Sequence, residues 1–171
     1  MNKLCVLKNL GFKISWNLIA IGLYGSGEIP PSITYLDVVD YLYGLLTDID
    51  EQTDNIIALI CEKEDHTKFD GILKKLASED DSNIVVQKRK WRVYLLKNLI
   101  DNINEDSLQG LLELMEFWVS MGKPDNCPQT FPSSDNKSVK DYFTQSSYEF
   151  NLNKNCEWLN KEIQSIVDLE G

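Results

Sequence analysis

Apolar residues recur at intervals of three and four along most of the chain, and no stretch alternates with a period of two. Such spacing is typical of amphipathic α-helices, whose 3.6-residue repeat brings these positions onto one face. Short polar, glycine- or proline-containing segments separate the periodic stretches. The pattern therefore predicts an all-α fold, with one helical domain over residues 1–171 and about seven to eight packed helices in an irregular bundle or array.

Capping residues and helix breakers predict the boundaries of these helices. The predicted helices, with the expected N-cap in parentheses, are 16–23 (Ser15), 35–47 (Ser32 or Thr34), 55–61 (Asp50 or Thr53), 68–77 (Thr67), 84–103, 108–121 (Asp106 or Ser107), 139–144 and 155–169. The segment 84–103 is the longest of them, and Gly122 is placed to end the helix that follows it.

The predicted helix 35–47 is apolar around most of its circumference. Val39 and Leu42 centre the apolar face, and Leu36 and Tyr43 widen it. A helix of this kind packs on several sides. We therefore expect Leu36 and Tyr43 to be packed, and only a narrow stripe to remain in solvent. That stripe contains Asp37, Asp40, Gly44 and Asp48.

The basic run QKRKWRVY at 87–94 is interpreted structurally. On the helical wheel Arg92 lies near the middle of an arc that also contains Leu95 and Leu99, and Lys90 lies on the opposite side. A charge within an apolar arc must be paired or must extend its head group to water. We therefore predict that Arg92 is an interior cation paired with a carboxylate of a neighbouring helix, and that Lys90 is solvated.

The net charge indicates which class of partner the protein can bind. The chain carries −10 in total, and residues 37–81 carry −9 of it, from thirteen acidic residues and four lysines. Such a surface repels phosphate and attracts a basic protein, so direct nucleic-acid binding is not expected. The apolar stretch ISWNLIAIGLYG at 14–25 is too short to span a bilayer and lacks a signal-cleavage pattern, which predicts a cytoplasmic protein without a membrane partner.

Calcium binding by an EF-hand loop is not expected. Asp48 and Asp50 imitate the first two ligands, but Thr53 stands where the loop requires glycine and Leu59 where it requires a bidentate carboxylate.

A transition-metal or nucleophilic site is not expected either. Glu62, His66 and Asp70 are spaced to share a helix face, but Thr67 is expected to begin a new helix between the last two. His66 is the only histidine, in a charged loop, so a Ser–His or Cys–His pair has no other base. The four cysteines are widely spaced, which is typical of reduced thiols. The sequence thus predicts no metal, no cofactor and no enzymatic activity.

The acidic surface is the remaining candidate site. Its carboxylates can serve only to keep this surface solvated. Alternatively, they can occupy the phosphate-binding groups of a basic partner. The candidate partner-binding residues are Asp37, Asp40, Asp48, Asp50, Glu51, Asp54, Glu62, Glu64 and Asp65.

Three segments carry a resemblance to a known family: LGFKISWNLIAIGLY (10–24), QKRKWRVYLLKNLIDN (87–102) and MGKPDNCPQTFPSSD (121–135). With their Gly-Phe-x-Ile-x-Trp opening, Lys-Trp-Arg helix and proline-rich loop, in that order, they resemble a small all-helical bacterial family of formerly unknown function. Its relatives are similar to immunity proteins of polymorphic and contact-dependent growth inhibition toxin systems.

The resemblance implies a protein that binds and neutralises the C-terminal domain of a cognate toxin, stoichiometrically and without catalysis. A basic toxin domain, such as a nuclease, would suit the acidic surface. The alternative is a helical adaptor or scaffold whose basic protein partner is not a toxin.

Overall fold

The structure, a computed structural model, describes residues 2–46, 53–132 and 139–171. Within these ranges the chain is helical, and the only β-type pairing is an isolated bridge between Ser26 and Ile29. The predicted all-α class is confirmed. The helices are α1 (Lys3–Asn9), α2 (Trp16–Tyr24), α3 (Tyr35–Leu45), α4 (Thr53–Cys61), α5 (His66–Glu79), α6 (Ile84–Asp101), α7 (Ser107–Ser120), α8 (Val139–Tyr142) and α9 (Gln145–Glu170).

The chain forms two compact units. The first comprises the residues up to Trp91 together with Glu170 and Gly171, and the second comprises Arg92–Leu169. The prediction of one domain over residues 1–171 stays a prediction. No helix in the described part of the chain is both long and apolar enough to cross a membrane.

The core of the first unit is built around α2. The indole nitrogen of Trp91 donates a hydrogen bond to the carbonyl oxygen of Leu18 at 2.8 Å. The same indole lies against Gly22, where a Cβ atom would come within 2.2 Å of the ring. Further side chains with no more than 3% exposure complete this core: Leu4, Leu7, Phe12, Ile19, Ile29, Val38, Leu42, Ile56, Leu59, Phe69 and Leu73.

Several predicted helix ends are confirmed. The Ser15 hydroxyl accepts a hydrogen bond from the backbone of Leu18, so it caps α2 as expected. Of the two candidates for α3, Thr34 is the N-cap, and Asp106 caps α7. Gly122 follows the last turn of α7 with φ +73°, a conformation in which glycine avoids the strain of a side chain.

Other helix starts differ from prediction, among them those of α1 and α5. The prediction did not include α1, whose N-cap Asn2 accepts a hydrogen bond from the backbone of Leu4. Helix α5 begins at His66 and is capped by Asp65, whose carboxylate accepts from the backbone of Lys68 at 3.2 Å. The expected cap, Thr67, therefore lies inside the first turn. An ionised carboxylate at the N-cap also interacts favourably with the helix dipole.

The prediction for the last helix was wrong in length. Helix α9 has 26 residues against 18 in α6, so it is the longest described helix. The helix begins at Gln145 and not near Asn155, where it was predicted to begin. Asn151 and Asn155 are buried within it, and each amide donates to the backbone oxygen four residues earlier and also bonds to Thr130 or Gln129.

The predicted solvation of Lys90 was wrong, because Lys90 is fully buried. Arg92 is partly buried and its Nε atom is buried, so its pairing with a carboxylate of a neighbouring helix stays a prediction. Helix α6 is enclosed on several sides, since it also buries Gln87, Trp91, Val93 and Leu96. The leucine-rich arc used for the prediction therefore does not mark the only interior face of α6.

Candidate functional site

The described candidate residues lie on helices α3 and α4 of the first unit and in the turn between α4 and α5, up to the cap of α5. Asp37 lies near the start of α3, Asp54 in the first turn of α4, and Asp65 at the cap of α5. Asp48, Asp50 and Glu51 lie outside the described residues. The described candidates form two groups, those whose carboxylates contact other protein groups and those whose carboxylates face solvent.

Three candidate carboxylates have structural partners. Asp37 accepts hydrogen bonds from the backbone nitrogen and the hydroxyl of Thr34, at 2.8 and 2.9 Å, and so completes a capping box. Glu62 and Asp65 both pair with Lys68, at 3.5 and 3.4 Å. The backbone hydrogen bond from Lys68 is the main reason that the pKa of Asp65 lies below its usual range. These three groups hold helix ends in place and are poorly available to a partner.

The other described candidates present their charge to solvent. Asp40, Asp54 and Glu64 are exposed, and none of them forms an ion pair within the described part of the chain. Asp40 and Glu64 line the same groove, with a volume of about 310 Å³, between α3 and the turn that precedes α5. Lys63 lines the same groove, so two unpaired carboxylates and one lysine leave it with a net negative charge, which attracts a basic partner.

Apolar side chains lie on the same groove. Leu36 is 67% exposed and Tyr43 is 46% exposed, although both were predicted to be packed. With Asp40 they occupy positions i, i+4 and i+7 of α3, which share one helix face. We define the acidic groove as Leu36, Asp40, Tyr43 and Glu64. The wheel positions of Leu36 and Tyr43 on either side of Asp40 were a usable signal, but the pattern alone did not show that both side chains are exposed.

The base of the acidic groove is rigid. The rings of Tyr35 and His66 stack at 3.9 Å between centroids and 6° between planes, which ties α3 to the start of α5. Below them, the Asp70 carboxylate accepts hydrogen bonds from the hydroxyls of Tyr24 and Tyr35, at 2.6 and 2.8 Å. Burial and this carboxylate raise the pKa of both tyrosines, so both remain protonated donors at neutral pH.

These contacts also decide what the site can do chemically. The turn between α4 and α5 separates Glu62 from His66, and Asp70 is engaged by two tyrosines, so the three do not converge. The boundary between the two helices lies before His66, and not at Thr67 as expected. Among the residues that the structure describes, no group of three or more His, Cys, Asp and Glu side chains is placed to hold a metal ion. What the arrangement presents is a binding surface with apolar anchors and carboxylates.

Comparison of the chain with curated proteins and with solved structures gives no match. A family model described as "Uncharacterized protein conserved in bacteria (DUF2247)" matches residues 5–163, which is most of the chain. The expected resemblance to a bacterial family of this kind is confirmed. The chain belongs to this family of proteins conserved in bacteria.

Proposed function

We propose that this protein is a non-catalytic immunity protein that binds the C-terminal domain of a cognate bacterial toxin and blocks it stoichiometrically. The observation that carries the proposal is the acidic groove, in which exposed Leu36 and Tyr43 lie beside the unpaired carboxylates of Asp40 and Glu64. Exposed apolar side chains framed by polar groups mark protein interaction sites.

The two kinds of side chain have different tasks in this proposal. Leu36 and Tyr43 supply apolar area that a partner removes from water, and such buried anchors carry most of the affinity of an interface. Asp40 and Glu64 supply an electrostatic field that steers a basic surface toward the groove. A nuclease toxin offers such a surface, since its substrate-binding groups are basic. Carboxylates placed against those groups would exclude the phosphates of the substrate.

The test is a binding measurement with the toxin domain encoded next to the gene for this protein. We expect Leu36→Ala and Tyr43→Ala each to weaken binding by tenfold or more, mainly through faster dissociation. The matched control is Leu108→Ala, because Leu108 is also half exposed, at 50%, but lies on α7 outside the groove. An equal effect of Leu36→Ala and Leu108→Ala would place the interface elsewhere.

The adaptor alternative uses the same groove with a different partner. A toxin domain that fails to bind, together with specific groove-dependent capture of another basic protein, would favour the adaptor. Protection of cells from the toxin that is lost in the Tyr43→Ala variant would favour the immunity function. If the protein is an immunity protein, groove variants that bind the toxin domain more weakly should protect cells less, because blocking is stoichiometric.

A further inference from the structure

A cavity of about 560 Å³ lies in the first unit, between the end of α1, the turn after it, and helices α2, α3 and α4. It shares no lining residue with the acidic groove. Its volume lies within the usual range of small-molecule sites, roughly 300–1,000 Å³. Its walls are mainly apolar and include Phe12, Ile14, Trp16, Ile19, Leu42 and Ile56.

One buried polar side chain on this wall lacks a partner. Tyr41 lines the cavity and is only 7% exposed, and its hydroxyl forms no hydrogen bond with any of the described residues. Burial, with a smaller contribution from the nearby Cys5, raises the pKa of Tyr41 to about 12, so the hydroxyl keeps its proton at neutral pH. The hydroxyl oxygen is not one of the fully buried side-chain atoms, so it is accessible and can donate a hydrogen bond to a ligand.

The cavity also has one available cation. Lys8 lines it from the last turn of α1, is exposed, and has no carboxylate partner in the described ranges. The other charged lining groups are engaged. Lys13 donates to the backbone oxygen of Glu170, and Asp80 accepts from the backbone of Asn17 and Ser82. Of the two lysines that line this site, Lys8 is therefore the one whose ammonium has no hydrogen-bond partner among the described residues.

We propose that this cavity binds a small amphipathic carboxylate, with its apolar part among Phe12, Trp16 and Ile19 and its carboxylate at Lys8. The Tyr41 hydroxyl, which lines the same cavity, supplies a second donor to the ligand. The volume suits a molecule larger than a single protein side chain, which favours a free ligand over an anchor residue from a partner. This site is independent of the proposed immunity function.

The probe for the test is decanoate, with decanol as its uncharged analogue, measured by isothermal titration calorimetry on the whole chain. We expect decanoate to bind wild-type protein at one molecule per chain and more tightly than decanol. Lys8→Gln should weaken decanoate binding roughly fivefold or more and leave decanol binding unchanged, because only the carboxylate uses the ammonium. Tyr41→Phe should weaken both, since both ligands can accept from the hydroxyl.

Two matched variants complete the design. Lys75→Gln removes the same charge from an exposed lysine that lines no part of the cavity, and it should bind decanoate like wild type. Leu45→Trp adds bulk to the cavity wall and should weaken both probes. Absence of saturable decanoate binding to wild type would overturn the proposal. Equal effects of Lys8→Gln and Lys75→Gln, or unchanged binding in Leu45→Trp, would overturn it as well.

Discussion

The ammonium group of Lys90 lies 2.5 Å from a carboxylate oxygen of Glu170, and the Lys90 side chain is fully buried. Two further oxygens, the Lys13 carbonyl and the Gln87 side-chain amide, accept from the same ammonium at 2.7 and 2.8 Å. The Glu170 carboxylate also accepts from the backbone nitrogen of Lys13 at 3.1 Å. Burial lowers the pKa of Lys90, against the opposing effect of Glu170. The buried charge is thus fully hydrogen-bonded and joins the turn after α1 to α6.

Lys90→Met is expected to destabilise the protein strongly. Removing one member of a buried ion pair costs about 3–5 kcal/mol, and the lower end applies here because Glu170 is 14% exposed. The control is Lys97→Met on the same helix, where an exposed pair with Asp101 is worth about 1 kcal/mol or less. Urea unfolding of both variants measures the difference. Small, equal losses would show that Lys90 is solvated in solution.

Gly22→Ala is expected to destabilise the first unit. The added Cβ would lie 2.2 Å from one ring carbon of Trp91 and 2.8 Å from another, and the indole is held by its bond to Leu18. Overpacking of this kind costs about 1–3 kcal/mol. Gly71→Ala is the matched control, because a Cβ at Gly71 in α5 meets nothing within 4 Å and alanine favours the helix by about 1 kcal/mol. Thermal melts should therefore shift in opposite directions, and a stabilising effect of Gly22→Ala would contradict this packing.

Asn155→Ala is expected to destabilise the second unit. The Asn155 amide accepts from the indole nitrogen of Trp118 at 2.6 Å and donates to the side chain of Gln129 at 3.0 Å. Its loss leaves the Trp118 indole donor and the Gln129 acceptor buried and unsatisfied. Each unsatisfied group lowers the free energy of unfolding by about 1–3 kcal/mol. Asn153→Ala changes an exposed asparagine of the same helix and should alter the free energy of unfolding little. Similar losses in the two variants would argue against the Trp118–Asn155–Gln129 network.

Tyr24→Phe is expected to reveal a pH-dependent part of the stability. Burial and the hydrogen bond to Asp70 raise the folded-state pKa of Tyr24, whereas the unfolded chain ionises near pH 10. The contribution of Tyr24 is therefore complete below about pH 10 and decreases as the pH rises toward the folded-state pKa. The stability gap between wild type and Tyr24→Phe should be constant from pH 7 to 9 and should narrow above pH 10. Urea unfolding at each pH tests this, and a gap that widens at alkaline pH would contradict it.

Charge removal in the acidic groove is expected to slow partner association. The double variant Asp40→Asn, Glu64→Gln removes two exposed, unpaired carboxylates, while Glu62→Gln, Asp65→Asn removes two that pair with Lys68 and share its charge. The first variant should lower the association rate with a basic toxin domain several-fold, and the second should change it less. Added salt should slow wild type more than the first variant, because screening acts on the same field. Equal association rates for wild type and the first variant at low salt would show that the acidic groove does not steer the partner.

The local pattern of the chain was sufficient for the helical class and for most helix starts. Ser15, Thr34 and Asp106 cap their helices through contacts within three residues, so their role depends only on nearby sequence. The concentration of acidic residues between 37 and 81 was also visible directly. It indicated where a basic partner would be attracted, although not which carboxylates remain available to it.

Tertiary structure decided which side chains are buried and which charges are compensated. Lys90 is interior because oxygens from three separate places in the chain converge on it, and no helical wheel contains that information. Leu36 and Tyr43 are exposed on α3, where of the described side chains the Lys63 ammonium lies over the ring of Tyr43. Local sequence determines backbone conformation through contacts a few residues apart. Burial and ion pairing depend on groups far apart in sequence, and these meet only once the chain has folded.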